Sequence, residues 1–470
     1  MRLNDDKQQK NQLQQSLAFP ETGRSEAPES SRRGTESSVA KHKSESPAIC
    51  DQLMEEICER ENCKQALARV KANKGSPGID GMTVEKLSDY LKQHWPEIRE
   101  QLLSGTYQPQ PVKRVEIPKP DGQGVRKLGI PTALDRWIQQ MVLQVLQRSW
   151  DPTFSDHSFG FRPGRSAHQA VAQAQKHIAE GYSWTVDLDL EKFFDNLDQN
   201  LLLRAVKKHA PEPWILLYIE RWLKAPVREE DGRLIPREKG TPQGGVASPL
   251  LANLFLHYAL DRWLMVNHSQ VPFERYADDV IVHCRTERQA QEVKAAIAKR
   301  LQACGLELHP EKTKIVYCKD DFRKCTYPNE KFDFLGYTFQ PRRSKNRKGR
   351  FFINFSPAVS NKAAKAIRDN IRSWNLPRRS DKAIEDLSRM FNPVIRGWIQ
   401  YYGRYYRSAL YPTTRALDRD LALWAKRKYK KLRQHLRRAT HWIARISRRD
   451  PKLFAHWQMG VRRGSMVGAV

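Results

Sequence analysis

The stretch Arg275-Tyr276-Ala277-Asp278-Asp279-Val280-Ile281-Val282 constrains the fold more tightly than any other part of the chain. An apolar run from Val271-Pro272-Phe273 gives way to two adjacent carboxylates, and a second apolar run follows from Val280 to Val282. β-Branched residues flanking a short polar step predict a β-hairpin with Asp278 and Asp279 at its tip. Adjacent like charges repel, so such a tip invites a cation. Mg²⁺ takes hard oxygen ligands, typically one or two carboxylates plus substrate phosphates. Taken alone, Asp-Asp is also an ordinary turn dipeptide.

Further carboxylates lie upstream in Trp184-Thr185-Val186-Asp187-Leu188-Asp189-Leu190-Glu191-Lys192-Phe193-Phe194-Asp195. Val186, Leu188 and Leu190 alternate with Asp187 and Asp189, which predicts a strand with both Asp side chains on one face. Strand geometry does not separate Asp187 from Asp189, and a solvated edge would alternate in the same way. Between the two stretches, Gly240-Thr241-Pro242-Gln243-Gly244-Gly245-Val246-Ala247-Ser248-Pro249 reads as a Gly/Pro-rich loop opening a helix. Such a loop lets backbone approach a ligand closely.

The three stretches, in this order, resemble the palm of reverse transcriptases and, more closely, the proteins encoded in bacterial group II introns. Ser76-Pro77-Gly78-Ile79-Asp80-Gly81, Ile117-Pro118-Lys119-Pro120-Asp121-Gly122, Arg126-Lys127-Leu128-Gly129-Ile130-Pro131 and Ser158-Phe159-Gly160-Phe161-Arg162-Pro163-Gly164-Arg165-Ser166 are similar to that family's fingers blocks. Gly305-Leu306-Glu307-Leu308-His309-Pro310-Glu311-Lys312-Thr313-Lys314 and Phe334-Leu335-Gly336-Tyr337 resemble its last palm blocks, and Phe391-Asn392-Pro393-Val394-Ile395-Arg396-Gly397-Trp398-Ile399-Gln400-Tyr401-Tyr402 its thumb, or maturase, domain.

The resemblance implies an α+β right-hand polymerase. Fingers and a palm with an antiparallel sheet would be followed by an all-α thumb/maturase domain and basic C-terminal helices. The expected divisions are a disordered tail (1–48), an N-terminal extension with fingers (49–182), the palm (183–345), the thumb/maturase (X) domain (356–430) and a basic nucleic-acid-binding tail (431–470). The implied activity is that of an RNA-directed DNA polymerase that copies intron RNA into DNA and binds that RNA to promote splicing and retrohoming. Asp189, Asp278 and Asp279 would be catalytic and would hold two Mg²⁺ together with the Leu190 carbonyl.

Lys119 and Arg126 would contact the triphosphate of the incoming nucleotide, although a solvated hairpin would show the same cations. Phe194 would stack on the sugar and exclude a 2′-hydroxyl, with one of Phe193 and Phe194 serving as core. Gln243 and Gly244 would lie beside the template–nucleotide pair. Lys312 would be the proton donor to pyrophosphate, while it and Lys314 could equally clamp phosphate. Arg162 and Arg165 would follow the template backbone, and Arg396, Arg404 and Arg407 would grip RNA. The implied partners are group II intron RNA, the DNA target and primer strand, and dNTPs, with a second copy of the chain as a further candidate. The residues after Arg449 carry no His/Asn/Cys cluster of an HNH nuclease, so second-strand cleavage is not expected.

Charge supports a polyanion partner. Residues 341–470 carry 33 Lys and Arg against 7 Asp and Glu, so of the net +29 only +3 belongs to the first 340 residues. Such concentration is the footprint of nucleic-acid binding. No apolar run approaches the roughly 18 residues of a membrane span, and the N-terminus has no short apolar core after basic residues, so a secretory signal is not expected. Cytoplasmic residence without a membrane partner is expected. The seven cysteines form no CxxC pair and read as packed or idle thiols rather than a zinc site.

Locally, helices are expected over 51–70, 84–103 and 132–149, the last amphipathic, with strands over 112–117 and 126–130. From about Ser356 the pattern is helical. It has a core stripe of Val394, Trp398, Tyr401, Tyr402 and Tyr405, and one basic helix over 424–449.

Overall fold

The computed structural model describes residues 48–118, 124–210, 212–345 and 348–459. The expected disordered tail up to residue 47, Lys119 and the end of the basic tail from residue 460 lie outside the described residues. Strands are numbered along the chain: β1 (Val112–Pro118), β2 (Val125–Ile130), β3 (Trp184–Leu188), β4 (Val227–Arg228), β5 (Leu234–Ile235), β6 (Phe273–Tyr276), β7 (Asp279–Cys284), β8 (Lys314–Tyr317), β9 (Phe332–Phe334), β10 (Tyr337–Lys345) and β11 (Phe351–Val359). The chain forms two units, one from residues up to 166, 188–280 and 291–313, the other from 167–187, 281–290 and 314 onward.

The first unit is built around helix Ala133–Trp150. Thr132 caps it: its Oγ1 accepts from the Asp135 N–H at 3.0 Å and donates to Asp135 Oδ2 at 2.6 Å. The expected amphipathic helix is instead buried on most of its surface, including Asp135, Arg136, Gln139, Gln140 and Gln144. The polar residues tolerate burial because each finds a partner. Gln144 Nε2 reaches Asn62 Oδ1 at 2.7 Å, and Gln139 Oε1 accepts from Val246 N at 2.9 Å. Asp135 accepts from the Tyr107 hydroxyl at 2.9 Å and Gln110 N at 3.2 Å. Burial still pushes its carboxyl up to about 6, against the pull of those donors.

Strands of the first unit's sheet run in the order β2-β1-β4-β5, with Ile117 opposite Arg126 in the antiparallel β1–β2 pair. The single helix expected over 51–70 is two, Ala48–Ile57 and Arg60–Ala72, because Glu59 is extended and Asn62 Nδ2 holds the Ile57 carbonyl at 2.7 Å. Helix Ser248–Leu256 passes through a π-turn, His257–Asp261, into helix Arg262–Asn267.

In the second unit, strands run β7-β3-β8, with Asp187 opposite Lys314, and separately β11-β10-β9. Helix formation expected from Ser356 starts instead at Asn361, since β11 continues to Val359 in register with β10. The thumb-like core centres on Trp374, stacked on Phe391 (4.3 Å between centroids) and Trp398 (5.4 Å). Helix Ile384–Tyr402 buries Ile384, Leu387, Phe391 and Ile395. Val394, expected in the core stripe, is exposed one position along.

The basic helix expected over 424–449 is broken into Tyr411–Lys428 and Leu436–Arg449. Tyr429 is extended there so that its ring packs on Trp442 (4.9 Å), and Gln434 is left-handed at φ 73°. Cys58, Cys284, Cys304 and Cys318 are buried thiols and Cys325 is exposed. Burial pushes Cys58 up to about 11 and Cys284 and Cys318 up to about 12. Among the described residues no helix is long and apolar enough to cross a membrane.

Candidate active site and nucleic-acid interface

The expected hairpin forms. β6 ends at Tyr276, Ala277 and Asp278 make the turn, and Asp279 opens β7. Ala277 sits in the left-handed region at φ 58°, which a residue with a Cβ adopts only under constraint. The constraint is Arg275, which with Asp261 is fully buried. Its Nε and Nη2 donate to Asp261 Oδ1 and Oδ2 at 2.7 and 2.6 Å, and its Nη1 donates to Asn253 Oδ1 at 2.8 Å and to the Ala277 carbonyl at 3.1 Å. The π-turn supplies Asp261 to this fork, a placement an α-helix in the same position would rotate away.

A second brace comes from Ser158-Phe159-Gly160. Phe159 N donates to the Arg275 carbonyl at 2.8 Å, Arg275 N to the His157 carbonyl at 2.9 Å, and Asn253 Nδ2 to the Gly160 carbonyl at 2.8 Å. A Cβ on Gly160 would lie 2.4 Å from Ala277 N, so only glycine fits against the turn.

Asp189 follows the end of β3. Its N–H donates to Thr313 Oγ1 at 3.3 Å, its carbonyl accepts from His309 N at 2.8 Å, and Leu190 is bridged to Leu308. Asp189 is half-buried, Asp278 is half-buried and Asp279 is exposed. Burial raises the proton affinity of Asp278 above its ordinary value; its own backbone N–H opposes this, the Asp189 charge adds to it, and Arg126 and Arg275 pull the other way. Asp189, Asp278 and Arg126 therefore share one electrostatic field. Lys312 joins them, its Nζ 3.6 Å from Asp189 Oδ1.

The donor set of carboxylates and a backbone carbonyl is chemically suited to a hard divalent cation. Such a cation would offset the burial and the neighbouring Asp189 charge that together raise Asp278. As placed, no group of three His, Cys, Asp or Glu side chains among the described residues is gathered tightly enough to clasp an ion.

The remaining expected residues divide clearly. Phe193 is core and Phe194 is half-buried, lining a cavity of about 250 Å³ with Gln243, Gly129, Arg114, Lys127 and Arg237. Gln243 Nε2 lies 3.4 Å from Asp195 Oδ1, and its carbonyl accepts from Gly129 N at 3.0 Å. Gly244 is exposed at φ 127°.

Arg162 does not follow a template. Its side chain is 4% exposed, with Nε 2.8 Å from Asp151 Oδ1 and Nη1 on the Ser155 and Ser158 carbonyls at 2.6 and 2.9 Å. It locks the loop instead. Arg165 is tied to Asp156 at 2.5 Å and stays partly exposed. Arg396, Arg404 and Arg407 are exposed in the second unit. Leu436–Arg449 and the turn before it line a concave basic face of about 620 Å³ that includes His435, Arg437, Arg438, His441 and Arg445.

Sequence reasoning gave no role to Arg275 and Asp261, whose pairing depends on the π-turn, or to Arg237. Arg237 is partly buried, with an Nη1 that meets no partner among the described residues, and burial next to Arg114 pulls it down to about 10.

Residues 117–339 match the family of reverse transcriptases (RNA-dependent DNA polymerases), and residues 364–442 match the group II intron maturase-specific domain. Protein YkfC of Escherichia coli (strain K12) is 30% identical over 331 residues, 62% of this chain and 84% of its own length. The chain belongs to the reverse transcriptase/maturase family of group II introns. As a member it is an RNA-directed DNA polymerase with an attached maturase-specific domain, acting on nucleic acid that includes intron RNA, and the family generally uses divalent metal ions.

The group II intron-encoded protein LtrA of Lactococcus lactis subsp. cremoris is 35% identical over 216 residues, 46% of this chain but 35% of its own length. A partial Cas6-RT-Cas1–Cas2 complex overlaps 53% of this chain and 41% of its own at 27% identity, with a TM-score of 0.34.

Proposed function

We propose that the chain copies intron RNA into DNA at Asp189, Asp278 and Asp279 and binds that RNA to promote splicing and retrohoming. The observation that carries the reading is the Asp278–Asp279 turn, braced through the Ala277 carbonyl by the buried Arg275 fork, with Asp189 fixed separately by Thr313 and His309. Two Mg²⁺ held by the three carboxylates and the Leu190 carbonyl would activate the primer 3′-hydroxyl and neutralise charge on the reacting phosphates.

Everything else is positioning by side chains. Arg126 offers a fork to the triphosphate of a dNTP, and Lys119, outside the described residues, would add a point charge. Phe194 presents its ring to the sugar, which leaves no room for a 2′-hydroxyl. Gln243 and the bare backbone of Gly244 border the nascent base pair. Lys312 holds a proton at Nζ that it can give to departing pyrophosphate. Arg396, Arg404 and Arg407 lie on a surface suited to RNA phosphates, and Arg165 adds a contact to the template backbone. A DNA target, a primer strand and a second copy of the chain complete the set of partners, all met in the cytoplasm.

Primer extension on poly(rA)/oligo(dT) with dTTP and Mg²⁺ tests the reading. Activity in the wild type and none in Asp278→Asn/Asp279→Asn is the expected result. Inactivity of both, with tight binding of structured RNA retained, would make the chain a splicing cofactor, a role the concave basic face of the second unit could serve alone.

A further inference from the structure

Beyond Phe339, the β10–β11 ribbon continues between the two matched family segments, which end at residue 339 and resume at 364. Its outer half is unlike the rest of the chain. Six Lys and Arg fall within 342–350, and no acidic residue occurs from 334 to 368. On one face, cross-strand pairing sets Arg343 opposite Ile353 and Lys345 opposite Phe351. The Arg343 guanidinium lies 4.0 Å from the Phe351 ring centroid and the Lys345 ammonium 5.5 Å from it. Phe351 is nevertheless 54% exposed and Ile353 42%. Beside them stands Phe322, 95% exposed, on a turn tied to the ribbon where Asp321 N donates to the Ile353 carbonyl at 3.3 Å.

We propose that this face, with Phe322 and Phe351 as platforms and Arg343 and Lys345 as phosphate contacts, binds single-stranded nucleic acid by stacking on its bases. Exposed rings on a soluble surface are costly unless something covers them. Charge selects the occupant: Phe351 is flanked by Arg343 and Lys345, and beside Phe322 the Asp320 carboxylate is paired with Arg323 and Asp321 is outnumbered by the ribbon's cations, so the face repels a basic partner and attracts a polyanion. The rings select the strand state. A base-paired duplex keeps its base faces stacked internally, whereas an unpaired strand offers them, and each has a π-face for an aromatic side chain. Cation–π contact also holds the Phe351 ring in place, so less freedom is lost when a base arrives.

The site makes no use of the carboxylates, so its success or failure is separable from that of the polymerase reading. The test is fluorescence anisotropy of the full chain, without nucleotide or metal, on labelled (dT)12, (rU)12 and a blunt duplex of equal length. Phe322→Ala/Phe351→Ala should weaken both single strands by about tenfold or more and leave the duplex within about twofold. Phe351→Tyr should restore the part lost through Phe351. An unchanged single-strand affinity, or an equal loss on duplex, overturns the proposal. So does a fall in oligomeric state on removing the rings, which would mean that a second copy covers this face. Phe322→Ser alone, at a nearly fully exposed turn position, keeps the test valid should the double variant lose its fold.

Discussion

At the β6–β7 hairpin Arg275 stands behind the turn; on the β10–β11 ribbon Arg343 stands in front of the sheet. Arg275 is sealed from water and spends four hydrogen bonds on Asp261, Asn253 and Ala277, so it reaches no ligand and fixes the carboxylates that do. Arg343 is left in solvent against a ring, its charge uncommitted to any carboxylate of the ribbon. Burial decides which task the same side chain performs. A buried guanidinium must be fully paired and so becomes scaffold, whereas an exposed one keeps donors for phosphate. Arg162, expected on the template and found inside with Asp151, falls on the scaffold side by the same criterion.

The sharpest break between the two hairpins should come from the carboxylates. Asp278→Asn is expected to lower single-turnover extension by about a thousandfold or more while RNA binding in a filter assay stays within about twofold. Arg275→Ala should come next. It strands Asp261 in the interior and should cost about 3–5 kcal/mol in chemical denaturation, with Arg275→Lys intermediate because it keeps the charge and loses the fork.

Burial can be tested as the deciding variable away from either hairpin, at Asp135. Its folded pKa of about 6 lies above the ordinary 3.8, so the fold favours the protonated form. The associated stability is fully present below the lower value and is lost as pH rises through the higher one. Relative to Asp135→Asn, which does not titrate, the wild type should lose about 2–3 kcal/mol across that window, read as urea midpoints at stepped pH. Gly160→Ala should cost about 1–3 kcal/mol, and extension should fall with it because the Ala277 turn must shift. The smallest effect on stability belongs to Arg343→Gln, within about 0.5 kcal/mol by thermal melting.

Much of this was legible in the sequence. The Asp-Asp step between β-branched runs marked the hairpin, alternation at Val186, Leu188 and Leu190 marked β3, and the stretches over 112–117 and 126–130 marked β1 and β2. Those signals are local, a matter of period and turn chemistry. The missed features depend on partners far along the chain. Arg275 needs Asp261 delivered by a π-turn that leaves no mark in composition, and Gln139 and Gln144 are buried because Val246 and Asn62 meet them. Phe193 and Phe194 are the same residue type side by side, so only the folded chain distinguishes core from cavity wall. The break at Tyr429 has no Gly or Pro to announce it, since a ring seeking Trp442 causes it.

The thiols carry a practical consequence. Cys58, Cys284, Cys304 and Cys318 are buried with their ionisation suppressed, so alkylating reagents, which need a thiolate nucleophile, should pass them by. Cys325 is exposed three residues from Phe322. A maleimide dye should react there first among the described cysteines, and its emission would report directly on whatever settles over the neighbouring ring.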